Sequence, residues 1–261
     1  MLNIIIIIAE VIAAIVLFVL DDHFKNLYLK EIGFIFFGFF ASSSIDLFKN
    51  HYGNIRIVVR AFFLRRLRLS FAYLIRIKVG SEYFLVKSKR FDFYQPVGGV
   101  FICHNPAIYK ELSLVTDDNM TKVLENDLRK ILTKPSKVLK VINWFYSQKD
   151  REVSPHREFI EELIDTGILS RDTFHKVDFA FIKHVNNGIE YSEHFKCNEL
   201  KLFEIFEFFP SQAQLAELEK LKEIESDKYI FVNDVAIDRL GYCNQSGKSS
   251  NLGSQTKYII G

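Results

Sequence analysis

The chain has 261 residues, 49% of them hydrophobic, with 34 Lys and Arg against 32 Asp and Glu. A net charge of +2 gives no overall drive toward a nucleic-acid polymer, and none is expected as a partner. Three widely spaced cysteines, Cys103, Cys197 and Cys243, have neither disulfide-scaffold nor metal-ligand spacing and read as reduced thiols of a cytoplasmic domain.

The chain opens on an apolar run, Ile4 to Leu20, interrupted by Glu10. At 1.5 Å per residue it covers about 25 Å, the short end of the membrane-crossing range. Neither a basic segment before it nor a small-residue cleavage site after it marks a signal peptide. A second run, Ile32 to Phe48, is rich in Phe and carries Gly33, Gly38, Ala41, Ser42, Ser43 and Ser44, residues that let another helix approach closely. Residues 1–48 are therefore expected to form a two-helix transmembrane hairpin with the lipid bilayer as partner. The connection between the runs, around 21–31, is weakly acidic, whereas eleven Lys and Arg face Glu82 alone between residues 49 and 90. Positive charge stays inside, which predicts both termini on the cytoplasmic side and a basic juxtamembrane linker over 49–68, in which 54–68 reads as an amphipathic helix at the membrane surface or a linker helix. Glu10 and Asp46 read either as polar contacts within an oligomer of hairpins or a pore, or as residues tolerated near the membrane surface.

A single domain is expected over 69–261. Leu69 to Val79 and Tyr83 to Lys87 read as strands joined by a hairpin turn at Val79–Glu82. Pro96-Val97-Gly98-Gly99 breaks the pattern and either forms a structural turn or lets the backbone approach a ligand. In Phe91-Asp92-Phe93-Tyr94 one aromatic can stack on a base, with Phe93 and Tyr94 as candidates. Residues 104–150 read as a helical insert, with helices over Asn119–Leu132 and Val138–Tyr146. Further strands are expected at Val177–His184 and Leu202–Phe209, and a helix at Gln212–Ile224. Gly247-Lys248-Ser249 reads as part of a polar loop.

The stretch Ser154 to Leu169 reads as a helix with Pro155 in its first turn. Glu158, Glu161 and Glu162, spaced i, i+3, i+4, are expected on one face opposite Phe159, Leu163 and Ile164. Such a cluster is either a solvated acidic face or a site for a hard divalent cation, Mg²⁺ or Mn²⁺.

Arg157-Glu158-x-x-Glu161-Glu162 resembles the central part of the Nudix box, Gly-x₅-Glu-x₇-Arg-Glu-U-x-Glu-Glu-x-Gly-U with U aliphatic. Gln95-Pro96-Val97-Gly98-Gly99 looks like the turn that precedes it. The sequence departs from the box upstream, with Lys149 where Glu is expected and Asn143 where Gly is expected. Downstream, Ile164 replaces the box Gly. The resemblance implies an α/β fold, a Nudix-like α/β/α sandwich with a mixed sheet. It also implies a nucleotide pocket drawing on Gly98, Gly99, Arg157, Phe93 and Tyr94, and metal ligands Glu158, Glu161 and Glu162; no catalytic residue is assigned. A hairpin at 4–48 joined to FAYLIRIKV, QPVGGV, REFIEELID and the tail LGSQTKYIIG is similar to the membrane effectors of cyclic-oligonucleotide antiphage systems (CBASS) carrying a SMODS-associated Nudix domain. That resemblance implies a homo-oligomeric effector in the bacterial inner membrane that senses a cyclic nucleotide second messenger made by a CD-NTase and disrupts that membrane to abort infection. The runner-up is a membrane-tethered Mg²⁺-dependent hydrolase of a nucleoside-diphosphate derivative; a third reading is an anchor that recruits a partner protein through the helical insert.

Overall fold

The computed structural model describes the backbone of residues 2–24, 27–117, 127–243 and 249–260, and side chains over the same range except 2–9, 24, 27, 30 and 43–53. The chain divides into two compact units, residues 1–60 and 61–261.

The first unit is helical. α1 spans Leu2–Phe24 and α2 spans Leu27–Phe62. Phe18 meets Phe34 edge-to-face with ring centroids 5.2 Å apart. Gly33 lies under Phe18, where a Cβ would come within 3.1 Å of the ring. Gly33 thus makes the close approach expected of a small residue, whereas a Cβ on Gly38 would meet nothing within 4 Å. The connection is shorter than 21–31, because helix continues to Phe24 and resumes at Leu27. The basic segment from residue 49 is helical as far as Phe62, as part of α2; no Pro interrupts residues 27–62 to stop it. Both helices expose apolar side chains, among them Ile12, Ile15, Val19, Phe34, Phe37 and Phe39. Among the described residues no helix is long and apolar enough to cross a membrane. The side chains of residues 4–9 in the first apolar run and 43–48 in the second, Asp46 included, lie outside the described set.

The second unit is built on β1 (Leu67–Arg76). Its alternation places Leu69, Phe71, Tyr73 and Ile75 on one face and Ala72 and Leu74 on the other, all buried. A strand buried on both faces requires cover on both sides. Ile77 ends β1, and the chain passes to a hairpin of β2 (Lys78–Val79) and β3 (Glu82–Lys87), turned at Gly80 with φ +62°. The two expected strands therefore lie in different sheets. β4 (Tyr94–Gln95) pairs with β3, and β5 (Val97–Val100) pairs antiparallel with β1.

α3 (Ala107–Leu112), β6 (Leu114–Thr116), β7 (Arg129–Leu132) and α4 (Val138–Tyr146) follow. The block 104–150 is thus no purely helical insert. Residues 118–126 lie outside the described set, but Arg129–Leu132 of the expected helix is a strand, because it pairs with both β1 and β6. Tertiary pairing overrides a four-residue helical preference.

α5 (His156–Phe159) continues as one π-helical turn, Ile160–Ile164. The long hairpin β8 (Asp178–Ser192) and β9 (Cys197–Phe209) completes the main sheet, with β9 parallel to β1. α6 (Gln212–Lys222) opens on a capping box made by Ser211 and Gln214. Then come β10 (Tyr229–Val232), α7 (Asp234–Arg239), and the pair β11 (Gly241–Cys243) and β12 (Ser249–Asn251). Ser249 is in β12, while Gly247 and Lys248 lie outside the described residues.

The main sheet runs β6-β7-β1-β9-β8 with β5 beside β1, and a second sheet runs β10-β3-β2 with β4 beside β3. One face of the main sheet carries an aromatic core: Tyr73 and Phe145 both pack on Phe101, and Phe159, Phe174 and Phe179 pack on Phe208. The other face packs Leu74 and Ile205 against Leu85, Tyr94, Ile230, Ile237 and Ile259. The expected α/β fold with a mixed sheet is present.

Candidate functional site

The site forms where β5 passes under the start of α5. Pairing with β1 sets Gly99 opposite Tyr73 and Gly98 opposite Leu74. A Cβ on Gly98 would lie 2.2 Å from the Tyr73 carbonyl oxygen, which cannot yield, and one on Gly99 would lie 2.0 Å from Glu158 Oε1, the end of a side chain that would have to move aside. Packing accounts for Gly98 without a ligand, and for Gly99 as long as Glu158 keeps its place.

Arg157 closes the site from above. Its guanidinium donates to the Val100 carbonyl at 3.0 Å, to Glu152 at 3.1–3.2 Å and to Glu158 at 2.6 Å. Glu152 itself accepts from the Ile102 amide. Glu152 stands five residues before Arg157, and counting eight residues back, to Lys149, misses it. Only its pairing with an adjacent Arg in a shortened loop identifies it.

The three glutamates do not behave alike. Glu158 is largely buried against Gly99, and Glu162 accepts a hydrogen bond from the Gly98 amide at 3.2 Å. Glu161 is half-exposed, 3.5 Å from Arg157. The shared acidic face expected from α-helical spacing is therefore split. The π-turn, closed by the Asp165 amide on the Ile160 carbonyl at 2.8 Å, widens the helix where these residues sit. Phe159, Leu163 and Ile164 are buried as expected.

Burial raises the pKa of Glu158, and Arg157 only partly offsets it. Burial pushes Glu162 up to about 7, against the Gly98 hydrogen bond and reinforced by Glu158. Lys89 lies close enough to lower both carboxyls. The site thus combines two mutually repelling, desolvated carboxyls with one nearby lysine. Among the described residues no group of three His, Cys, Asp or Glu converges as a metal cage. The donor chemistry nevertheless suits a hard cation held by Glu158 and Glu162, which would relieve their repulsion.

The aromatic candidates separate sharply. Tyr94 is 6% exposed, and its hydroxyl donates to the Asp227 carbonyl at 3.0 Å. It belongs to the core and cannot stack on a base. Phe93 is half-buried, stacked on the exposed Phe91 with centroids 5.2 Å apart and rings 9° from parallel.

A cavity of about 580 Å³ opens elsewhere, lined by Glu82, Lys222, Glu223, Glu225, Tyr229 and Tyr242 among others. Of the expected site residues only Tyr94 reaches it. Its carboxylates make it a poor receptor for a phosphate, so the geometry around Gly98 carries the argument instead.

No curated protein matches the chain. A family model described as the SMODS-associated NUDIX domain matches residues 66–260. The match begins one residue before β1 and ends one residue before the C-terminus, so it takes in the whole sandwich, the Gly98-Gly99 turn and the Arg157 helix; the chain belongs to the SMODS-associated NUDIX domain family.

Proposed function

We propose that the chain is the membrane effector of a bacterial antiphage system of the CBASS type. The Nudix-like domain senses a cyclic nucleotide made by a partner CD-NTase. Binding rearranges or clusters N-terminal hairpins in the inner membrane, with both termini cytoplasmic, and the breached membrane aborts infection. The observation that carries this reading is how the box residues are used. Arg157 is bound to Val100, Glu162 to Gly98, and Glu158 fills the space above Gly99. These contacts lock the helix onto the turn, a frame suited to holding a nucleotide in one geometry. The membrane part of this reading rests on the two apolar runs of the sequence, whose helices meet at Phe18 and Gly33 and expose apolar side chains.

The raised pKa values of Glu158 and Glu162 favour a second reading, a Mg²⁺-dependent hydrolase. A cation bound by these two residues would neutralise a diphosphate and activate water. In this chain Glu162 would release its proton to bind it, while Arg157 would hold Glu158 in place.

Reconstitution of the full chain in dye-loaded vesicles separates the two. Leakage that requires a cyclic nucleotide and survives Glu158→Gln with Glu162→Gln supports the effector. Nucleotide cleavage that requires Mg²⁺ and is lost in that double variant supports the hydrolase. Vesicles that stay sealed with every cyclic di- and trinucleotide tried would sink the effector reading.

A further inference from the structure

Loop 88–93 is closed on itself by the Ser88 amide donating to the Phe93 carbonyl at 2.9 Å. This presents Lys89, Arg90 and Phe91, all exposed, at its crest. Phe93 lies beneath Phe91 and is wedged against the C-terminal segment, where a Cβ on Gly253 would come within 2.9 Å of its ring. Phe91 is therefore an outward ring on a rigid base, 40% exposed.

The tip of the β8–β9 hairpin meets the same crest. His194, also exposed, contacts Phe91 edge-on at 5.2 Å and Phe195 at 4.6 Å. Phe195 is held in turn by the Arg68 guanidinium, 3.6 Å from its centroid. Two segments about a hundred residues apart in sequence thus bring an aromatic ladder to the surface.

Charge is arranged around that ladder in a specific way. The neighbouring acids are engaged: Asp92 pairs with Lys87, Asp127 with Arg129, and Glu193 with Lys196. Lys89 and Arg90 form no ion pair among the described residues. Arg90 is partly desolvated and feels the like charge of Arg129, both of which lower its pKa, and Asp127 partly offsets them. Lys89 lies within electrostatic reach of Glu158 and Glu162, so the crest adjoins the turn and helix described above.

We propose that loop 88–93 and the β8–β9 tip form a ledge that receives one base and one phosphate of a nucleotide, the base on Phe91 and His194, the phosphate on Lys89 and Arg90. This rests on the nucleotide-sensing reading and names the surface that does the sensing. It also replaces Tyr94, which is buried, with Phe91. Stacking tolerates any base, so selectivity for one nucleotide would come from elsewhere in the site.

The test is calorimetric binding of cyclic di-AMP, cyclic di-GMP, cyclic GMP-AMP and cyclic tri-AMP to the full chain in detergent. Wild type is expected to bind at least one. Phe91→Ala should weaken that binding about five- to one-hundred-fold, Phe91→Trp should retain it, and Arg90→Gln should cost roughly tenfold or more. Both side chains are exposed, so the melting temperatures of the variants should match wild type. If wild type binds and neither Phe91→Ala nor Arg90→Gln changes affinity, the ledge is wrong and nucleotide sensing stands. If wild type binds none of the four, nucleotide sensing fails and the ledge falls with it.

Discussion

Gly98 and Gly99 look equivalent in sequence, yet their neighbours make them differ. An added methyl at Gly98 meets backbone, the Tyr73 carbonyl, whereas at Gly99 it meets the Glu158 side chain. Gly98→Ala should cost about 3 kcal/mol or more, because neither strand can yield without breaking the β1–β5 ladder. Gly99→Ala should cost less, and its cost should shrink in a Glu158→Ala background, a non-additivity that chemical denaturation would measure. The Glu162 pKa of about 7 lies above that of an unfolded glutamate. The folded state therefore holds this proton more tightly, and the associated stability is complete below about pH 4 and lost as pH rises through 7. Glu162→Gln keeps an acceptor for the Gly98 amide without the charge. It should flatten the fall of the melting temperature between pH 5 and 8 and stabilise the protein at pH 8, by at most about 3 kcal/mol. If Mg²⁺ binds here, adding it at pH 8 should raise the wild-type melting temperature and leave that of Glu162→Gln unchanged.

At the scale of elements, the α5 region shows what a period can and cannot reveal. The apolar positions Phe159, Leu163 and Ile164 were legible because they follow one another into the core. The π-turn was not, since nothing in residues 156–164 specifies an i+5 hydrogen bond. It arises because the start of the helix is pinned to β5 by Arg157 while its end must turn at Gly167, φ +71°. Residues 129–132 were misread for a related reason: their strand state depends on β1, sixty residues upstream in the chain. Glu152 escaped because the box was read by its usual spacing. Within α1 and α2, the Gly33–Phe18 contact gives a direct test. Gly33→Leu should force the helices apart and lower hydrogen-exchange protection across residues 10–23 at least tenfold, whereas Gly38→Leu, with open space around it, should not.

Over the whole molecule, the features that sequence conveyed best were contiguous ones: two apolar runs, the β2–β3 turn, the Arg157 segment. Features assembled from distant residues were invisible. The clearest is the fully buried pair Arg151–Glu204, in which Arg151 also lies 4.1 Å from the Phe145 centroid and 4.4 Å from that of Phe101. It ties the segment before α5 to β9 through the aromatic core. Removing one partner strands a charge there, so Glu204→Ala should destabilise the domain by about 3–5 kcal/mol. Replacing both partners with apolar residues should recover much of that loss, which thermal unfolding of the single and double variants would show.

The parallel pairing of β1 with β9 sets Arg68 beside Glu199 and Arg76 beside Glu207, so the central ladder joins residues 131 positions apart. At bacterial translation speeds of about 5–20 residues per second, roughly seven to twenty-five seconds pass between synthesis of the first strand and of its partner. For that interval the ribosome carries a finished N-terminal helical pair attached to a domain that has no core. On the proposed effector reading, a cell making this protein would expose nascent hairpins before any nucleotide control exists over them, and chains truncated before residue 197 would remain in that state permanently. If the proposed effector reading holds, premature stop codons between residues 66 and 197 should behave differently from missense variants at Phe91 or Arg90, a contrast visible as growth arrest without phage in the one case and loss of protection in the other.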